Sequence, residues 1–335
     1  MIGNVILILI GFALLIKGAD LLVIGASRIA KKFNIPEIII GLTVVAIGTS
    51  LPELVVSTTS ALTGHSDIAL GNVIGSNISN LFLILGACSI IKPLTFKKET
   101  IFMENPFVIA ITGLLFFLCL NNGGTQISRL EGALLLLLCV IFILYNVIMA
   151  KRGEKEGSGE KIDGSNIEGQ AEAATQEIKE EPKQIDTYKA ILFIVLGILM
   201  LKYGGDFVVD NAVVIAQAMG ISEKLISLTI VAVSTSLPEL ITSITATIKG
   251  ETDLAIGNIV GSQTFNILLI LGASSLLTPI TYSAAYNRDM LLLLAGSTVF
   301  ALFPFIGEKN KMTRENGILF VIVYIVYMIN IIMGN

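Results

Sequence analysis

Apolar residues in this chain fall in long blocks separated by short polar connections, not in alternation. The blocks lie near residues 4–28, 36–62, 68–90, 101–120, 130–150, 188–217, 222–248, 254–278, 288–305 and 316–333. About 20 successive apolar residues suffice for a helix to cross a bilayer, so the pattern predicts ten transmembrane helices. The first block begins at Ile2 with no cationic residue before it. It lacks the charged start of a cleavable signal and is expected to be retained as a helix. Residues 151–186 are of another kind, rich in Glu, Lys, Gly and Ser and nearly free of large apolar side chains. Such a segment cannot bury enough surface to fold alone and is expected to be a disordered cytoplasmic linker. The chain thus divides into 1–150, 151–186 and 187–335.

Charge sets the expected orientation. Lys and Arg gather in alternate connections: Arg28, Lys31 and Lys32; Lys92, Lys97 and Lys98; Lys151, Arg152 and Lys155; Lys249; Lys309, Lys311 and Arg314. The remaining connections hold at most one each, such as Arg129, Lys224 and Arg288. The positive-inside rule makes the first set cytoplasmic. An even number of spans then leaves both termini outside the cytoplasmic (inner) membrane.

Composition agrees: 54% of residues are hydrophobic and 14% charged, against about 25% charged in soluble domains. No basic patch or aromatic stacking module points to nucleic acid. Cys88, Cys119 and Cys139 all sit in apolar blocks, where free cysteines act as small hydrophobes. The sequence GGDF at 204–207 resembles a cyclase signature but lies inside an apolar block and mirrors GADL at 18–21, so an enzyme is not expected. Lys17 and Lys202 are expected to be neighbours of Asp20 and Asp206, and His65 to be a solvated loop residue.

The chain repeats itself. LTVVAIGTSLPELVVS at 42–57 recurs as LTIVAVSTSLPELITS at 228–243, and DIALGNVIGSNISNLFLILG at 67–86 as DLAIGNIVGSQTFNILLILG at 253–272. The offset is constant, since 239 − 53 = 186 and 206 − 20 = 186. Five spans separate the two copies, an odd number, so the copies are expected to cross the membrane in opposite directions. The expected fold is an all-α membrane protein of ten transmembrane helices in two inverted five-helix repeats. That architecture belongs to secondary transporters, whose sites lie near the midplane between repeats.

Within the repeat, Ala46, Thr49, Ser50 and Glu53 share one helical face, as do Ala232, Thr235, Ser236 and Glu239. A carboxylate at membrane depth is costly and normally faces a partner or an aqueous cavity. Pro52 and Pro238 remove the donors for the carbonyls of Gly48 and Ser234, which predicts broken helices with free oxygens. Asn72, Ser76 and Asn80 recur at four-residue steps, mirrored by Asn258, Ser262 and Asn266. The inventory is all oxygen, which suits Ca²⁺ with its 6–8 hard ligands, and Na⁺, better than a soft metal.

The two GTSLPE-like segments, each followed by GN-x-x-GS, resemble the α-repeats of the cation/calcium antiporter superfamily, and the prokaryotic sodium/calcium exchangers in particular. The resemblance covers both halves outside the linker. It implies exchange of Na⁺ for Ca²⁺ by alternating access, with the first and sixth helices sliding across the second, third, seventh and eighth. It places calcium between Glu53 and Glu239 with carbonyls from Thr49 and Thr235. It puts sodium at Ala46, Ser50, Ser76, Ala232, Ser236 and Ser262, and Asn80 and Asn266 at the central position. No cofactor is implied beyond the transported ions; the bilayer is the only other partner, and a monomer would suffice. The sequence departs from the pattern at Ser234, at Gln263 and Phe265, and at Asn266, where an archaeal-type exchanger has aspartate. A Ca²⁺/H⁺ or K⁺-coupled antiporter of the same superfamily is the alternative, and a cation channel a remoter one.

Overall fold

The computed structural model describes residues 2–98, 100–121, 126–159, 187–220, 235–306 and 310–333. The apolar blocks fold as helices α1 (Ile2–Lys32), α2 (Glu37–Thr49), α3 (Leu51–Leu62), α4 (Ile68–Ile91), α5 (Thr100–Leu120), α6 (Arg129–Gly159), α7 (Thr187–Ala218), α8 (Leu237–Ile248), α9 (Thr252–Leu277), α10 (Ala284–Phe305) and α11 (Arg314–Met333). Among the described residues eight are long and apolar enough to cross a membrane. The pair α2–α3, bent by 48°, makes a ninth span if counted as one. Of the block predicted at 222–248, α8 is the described part, and residues 221–234 lie outside the described residues.

One boundary differs from expectation. Helix α6 continues to Gly159, into the segment expected to be a disordered linker from residue 151. Glu and Lys are good helix formers, so a helix already nucleated in the apolar block propagates into them at little cost. Residues 160–186 lie outside the described residues.

Burial sorts the helices into a centre and a rim. The most apolar window of α9 is 94% buried and that of α4 72%, against 17% to 39% for α5, α10 and α11. A helix that is apolar all round yet half exposed is suited to a membrane, as α11 is, with Ile318, Leu319, Ile322 and Ile325 about half exposed.

Helices α1 and α7 run antiparallel in backbone contact. Gly11 meets Gly204, Gly18 meets Gly197 and Gly25 meets Ala190. A Cβ built on Gly18 would stand 2.9 Å from the Gly197 carbonyl oxygen; small residues at this seam are what let two membrane helices approach so closely. Toward its C-terminal end α1 is pinned to the α8–α9 turn. Asp20 pairs with Lys249, the Ser27 hydroxyl lies between Glu37 (2.9 Å) and Glu251 (3.0 Å) and its one proton is shared between them, and Lys31 lies 2.9 Å from Glu251. Burial works against ionisation of Glu251, but its contacts with Glu37, Lys31 and Ser27 prevail and hold its carboxyl below the ordinary range.

Two short antiparallel ladders complete the fold. Strand β1 (Leu94–Thr95) pairs with β4 (Lys311–Met312), and β2 (Gln126–Ile127) with β3 (Ile280–Thr281). The 186-residue offset recurs here, since 280 − 94 = 186 and 312 − 126 = 186. The ladders flank opposite ends of α4: Ser66 bonds Thr281 at 3.0 Å, while β1 follows Ile91.

Candidate cation site

The first copy of the SLPE motif breaks its helix at the serine, and in the second α8 begins directly after the serine. Ser50 has φ −85° and ψ 8°, and Ser236 has φ −85° and ψ 3°, both in the bridge region between helix and strand. Pro52 and Pro238 then fall in the first turn of α3 and α8, where a missing N–H costs nothing. Glu53 and Glu239 occupy the same first turns, where the positive end of the helix dipole favours a carboxylate. On the other side of the break, Pro52 leaves the Gly48 carbonyl without its usual donor. Ser234 and Ala232, assigned the mirrored roles from sequence, lie outside the described residues.

The two motif copies face each other across the central helices. Ser50 Oγ donates to Glu239 Oε1 at 2.9 Å and lies 3.1 Å from Ser262 Oγ; Thr49 also stands beside Glu239. In mirror image, Thr235 and Ser76 stand beside Glu53, with their hydroxyls 3.4 Å apart. Each carboxylate is therefore flanked by hydroxyls from both halves of the chain. Glu53 is 1% exposed and Glu239 fully buried. The ion pairs described in the structure involve neither of them. Asn80 and Asn266 lie in or at the start of π-helical turns, Ser79–Ile84 and Asn266–Leu271, a deformation often found at functional sites. Ala46 is buried at the start of the last turn of α2.

Five buried atoms of this set have no hydrogen-bond partner: Glu53 Oε2, Glu239 Oε2, Asn80 Oδ1, Asn266 Oδ1 and Ser236 Oγ. Asn266 directs its Nδ2 to Asn77 Oδ1 at 3.0 Å, which leaves its carbonyl oxygen free. Unpartnered buried polar atoms are rare and costly. Those of Thr100, Asn105 and Thr112 lie along α5, whereas these five belong to the two motif copies and to the π-helical turns packed against them. All are oxygens, as a hard cation requires. Among the described residues no three His, Cys, Asp or Glu side chains cluster to hold a metal, which sets this arrangement apart from a zinc or iron centre.

An open cavity of about 830 Å³ reaches the site, lined by Pro52, Asn72, Asp206, Thr235, Pro238 and Asp289 among others. Asp206 pairs with Lys202 and Asp20 with Lys17, each at 3.2 Å, as expected from their spacing. His65 is exposed and the three cysteines are free and buried. Ser57, Ser243 and Asn77 also take part in the hydrogen bonding around the site but were not singled out from sequence. The signal existed for the serines, which close the two copies of the repeat at 57 and 243, again 186 apart.

The chain matches the family model described as sodium/calcium exchanger protein over residues 3–148 and 189–333. It is 37% identical to the inner membrane protein YrbG of Escherichia coli K12, covering 88% of this chain and 87% of that one. It is 30% identical to the sodium/calcium exchanger MaX1 of Methanosarcina acetivorans, covering 97% of both. Among solved structures, the sodium-calcium exchanger NCX_Mj, soaked with 2.5 mM Na⁺ and 0.1 mM Ca²⁺, superposes with a TM-score of 0.79 at 30% identity over 97% of both chains.

Proposed function

This chain belongs to the sodium/calcium exchanger family, and from that premise we propose that it exchanges Na⁺ for Ca²⁺ across the cytoplasmic membrane by alternating access. The observation that carries the reading is the convergence of two buried, unpaired carboxylates with unpartnered amide and hydroxyl oxygens. Two like charges in a low-dielectric interior repel strongly, and a divalent cation between them relieves that repulsion while supplying the missing partners. In this reading Glu53 and Glu239 are shared by both ions, and Thr49 and Thr235 lend carbonyls to calcium. Ala46, Ser50, Ser76, Ala232, Ser236 and Ser262 serve sodium, and Asn80 and Asn266 lie between. Occupancy by one calcium excludes the sodium ions, so exchange is strict and no cofactor is needed.

The same reading takes the chain as ten spans in two inverted five-helix repeats, active as a monomer, with both termini outside. The constant 186-residue offset in sequence, site and strand pairing supports it. The cavity lined by the start of α4 and the second half of α7 then opens outward, and the pins between α1 and the α8–α9 turn close the cytoplasmic side. The test is ⁴⁵Ca²⁺ uptake into proteoliposomes loaded with Na⁺, compared with liposomes carrying only an outward proton gradient. Uptake that requires internal Na⁺ is the expected result. Uptake driven by protons alone would replace this reading with cation/proton exchange at the same carboxylates.

A further inference from the structure

Two hydrogen-bonded relays, related by the same offset, lie directly behind the carboxylates. In the first, Asn72 Nδ2 donates to Ser57 Oγ at 2.9 Å and to the Glu53 carbonyl at 3.4 Å, and Thr235 Oγ1 donates to Asn72 Oδ1 at 3.3 Å. In the second, Asn258 Nδ2 donates to Ser243 Oγ at 2.9 Å and Thr49 Oγ1 donates to Asn258 Oδ1 at 3.2 Å. The offset holds for every member: 258 − 72 = 186, 243 − 57 = 186 and 235 − 49 = 186. Each relay crosses between the halves, joining a serine and an asparagine of one to a threonine of the other.

The orientation of the first relay's amide follows from elementary chemistry. A backbone carbonyl only accepts, so the Glu53 carbonyl fixes which end of the Asn72 amide faces it. The amide oxygen must then face Thr235. An amide oxygen cannot donate, so Asn72 presents an acceptor to the Thr235 hydroxyl, which also stands beside Glu53 and 3.4 Å from the Ser76 hydroxyl. Thr49 Oγ1 likewise reaches the Ala46 carbonyl at 3.3 Å as well as Asn258 and stands beside Glu239. Each relay thus fixes where a threonine side chain stands next to a carboxylate. The two relays differ in exposure: Asn72 and Thr235 line the open cavity, while Asn258 is completely buried.

We propose that Ser57–Asn72 and Ser243–Asn258 are positioning residues that hold the Thr235 and Thr49 side chains in place beside the carboxylates and thereby set cation affinity. This rests on the cation-exchange reading of the site. Residues that orient ligands in this way typically change metal affinity 10- to 100-fold when removed.

The test uses the full chain and the variants Asn258→Ala, Thr49→Val, Thr49→Ser and the double variant Asn258→Ala with Thr49→Val. Each is titrated with CaCl₂, NaCl and KCl by thermal stability and then assayed for ⁴⁵Ca²⁺ uptake. Asn258→Ala and Thr49→Val should each raise the half-saturating concentration of the bound cation by about 10- to 100-fold, with maximal uptake of Asn258→Ala within about twofold. The double variant should be no worse than the poorer single one, because both changes break one relay. Thr49→Ser, which keeps the hydroxyl, should restore affinity. Should Asn258→Ala not fold, Ser243→Ala removes the far anchor instead, with the same expected direction. Unchanged half-saturation in the single variants, or multiplying effects in the double, overturns the proposal. Wild-type uptake that ignores internal Na⁺, with the relay variants still shifted for whichever cation binds, overturns sodium/calcium exchange and leaves the relay standing. A wild type stabilised by none of these cations overturns both.

Discussion

Replacing Glu239 by Gln should move stability in opposite directions with and without calcium. The side chain is fully buried, Oε1 accepts from Ser50 at 2.9 Å and Oε2 has no partner. Gln keeps the volume and removes the charge. Without ions, a buried charge with an unpartnered oxygen costs more than the neutral amide that replaces it, so the ion-free variant should be more stable than wild type. With calcium the sign reverses. Ca²⁺ at about 2.4 Å from a carboxylate oxygen attracts it by about 14 kcal/mol at an effective dielectric near 20. Desolvating ion and carboxylate cancels much of this. A surviving fifth, about 3 kcal/mol, is still about 150-fold in affinity. The chain has no tryptophan, but Cys88, Cys119 and Cys139 are free and buried, so a thiol-reactive dye reports their exposure on unfolding. The expected result is a higher melting temperature in chelator, a lost calcium shift, and no ⁴⁵Ca²⁺ uptake. A variant with wild-type calcium stabilisation and uptake would refute the assignment of Glu239 to the ion.

Three further outcomes are expected. Asn266→Asp should make sodium activation pH-dependent, because the new carboxyl must carry a proton to replace the donor now given to Asn77; identical pH profiles for variant and wild type would count against it. Gly18→Leu should cost about 1–3 kcal/mol by overpacking the α1–α7 seam and lower the melting temperature. Gly3→Leu, where a Cβ meets nothing within 4 Å, should not. Glu251→Gln should lower the melting temperature at pH 7 by a margin that disappears in acid. A carboxyl held below its ordinary value by its neighbours stabilises the fold above the unfolded carboxylate range and loses that contribution as pH falls through the folded value; a margin constant from pH 7 to 3 would contradict this.

Much of the site was legible because its residues recur at one spacing. Glu53, Ser50 and Ser76 stand out less by type than by having Glu239, Ser236 and Ser262 at the same offset. The helix break was legible too, since a proline next to a buried glutamate leaves few conformations. What the sequence hid was connectivity through space. That Ser50 serves Glu239, rather than its own neighbour Glu53, follows from how the halves interlock, and periodicity within one helix carries no trace of it. Ser57 and Ser243 were passed over for a related reason: a serine in an apolar helix reads as a residue bonding its own backbone, and only the fold brings Asn72 and Asn258 to them. The end of α6 was misjudged because Glu and Lys serve equally well in a solvated helix and in disordered chain.

The two short ladders carry a consequence of another order. Strand β1 of the first half pairs with β4 of the second, and β3, the counterpart of β1, pairs with β2. Strand for strand this is the reciprocity of an isologous two-fold dimer, in which patch i meets j and j meets i. Either half alone would leave both of its strands unpaired and one carboxylate without its opposite. On the proposed reading of two inverted repeats, the single polypeptide holds within itself the encounter that two copies of a smaller chain would otherwise have to make, while its two halves remain free to differ, as Asn77 and Gln263 do.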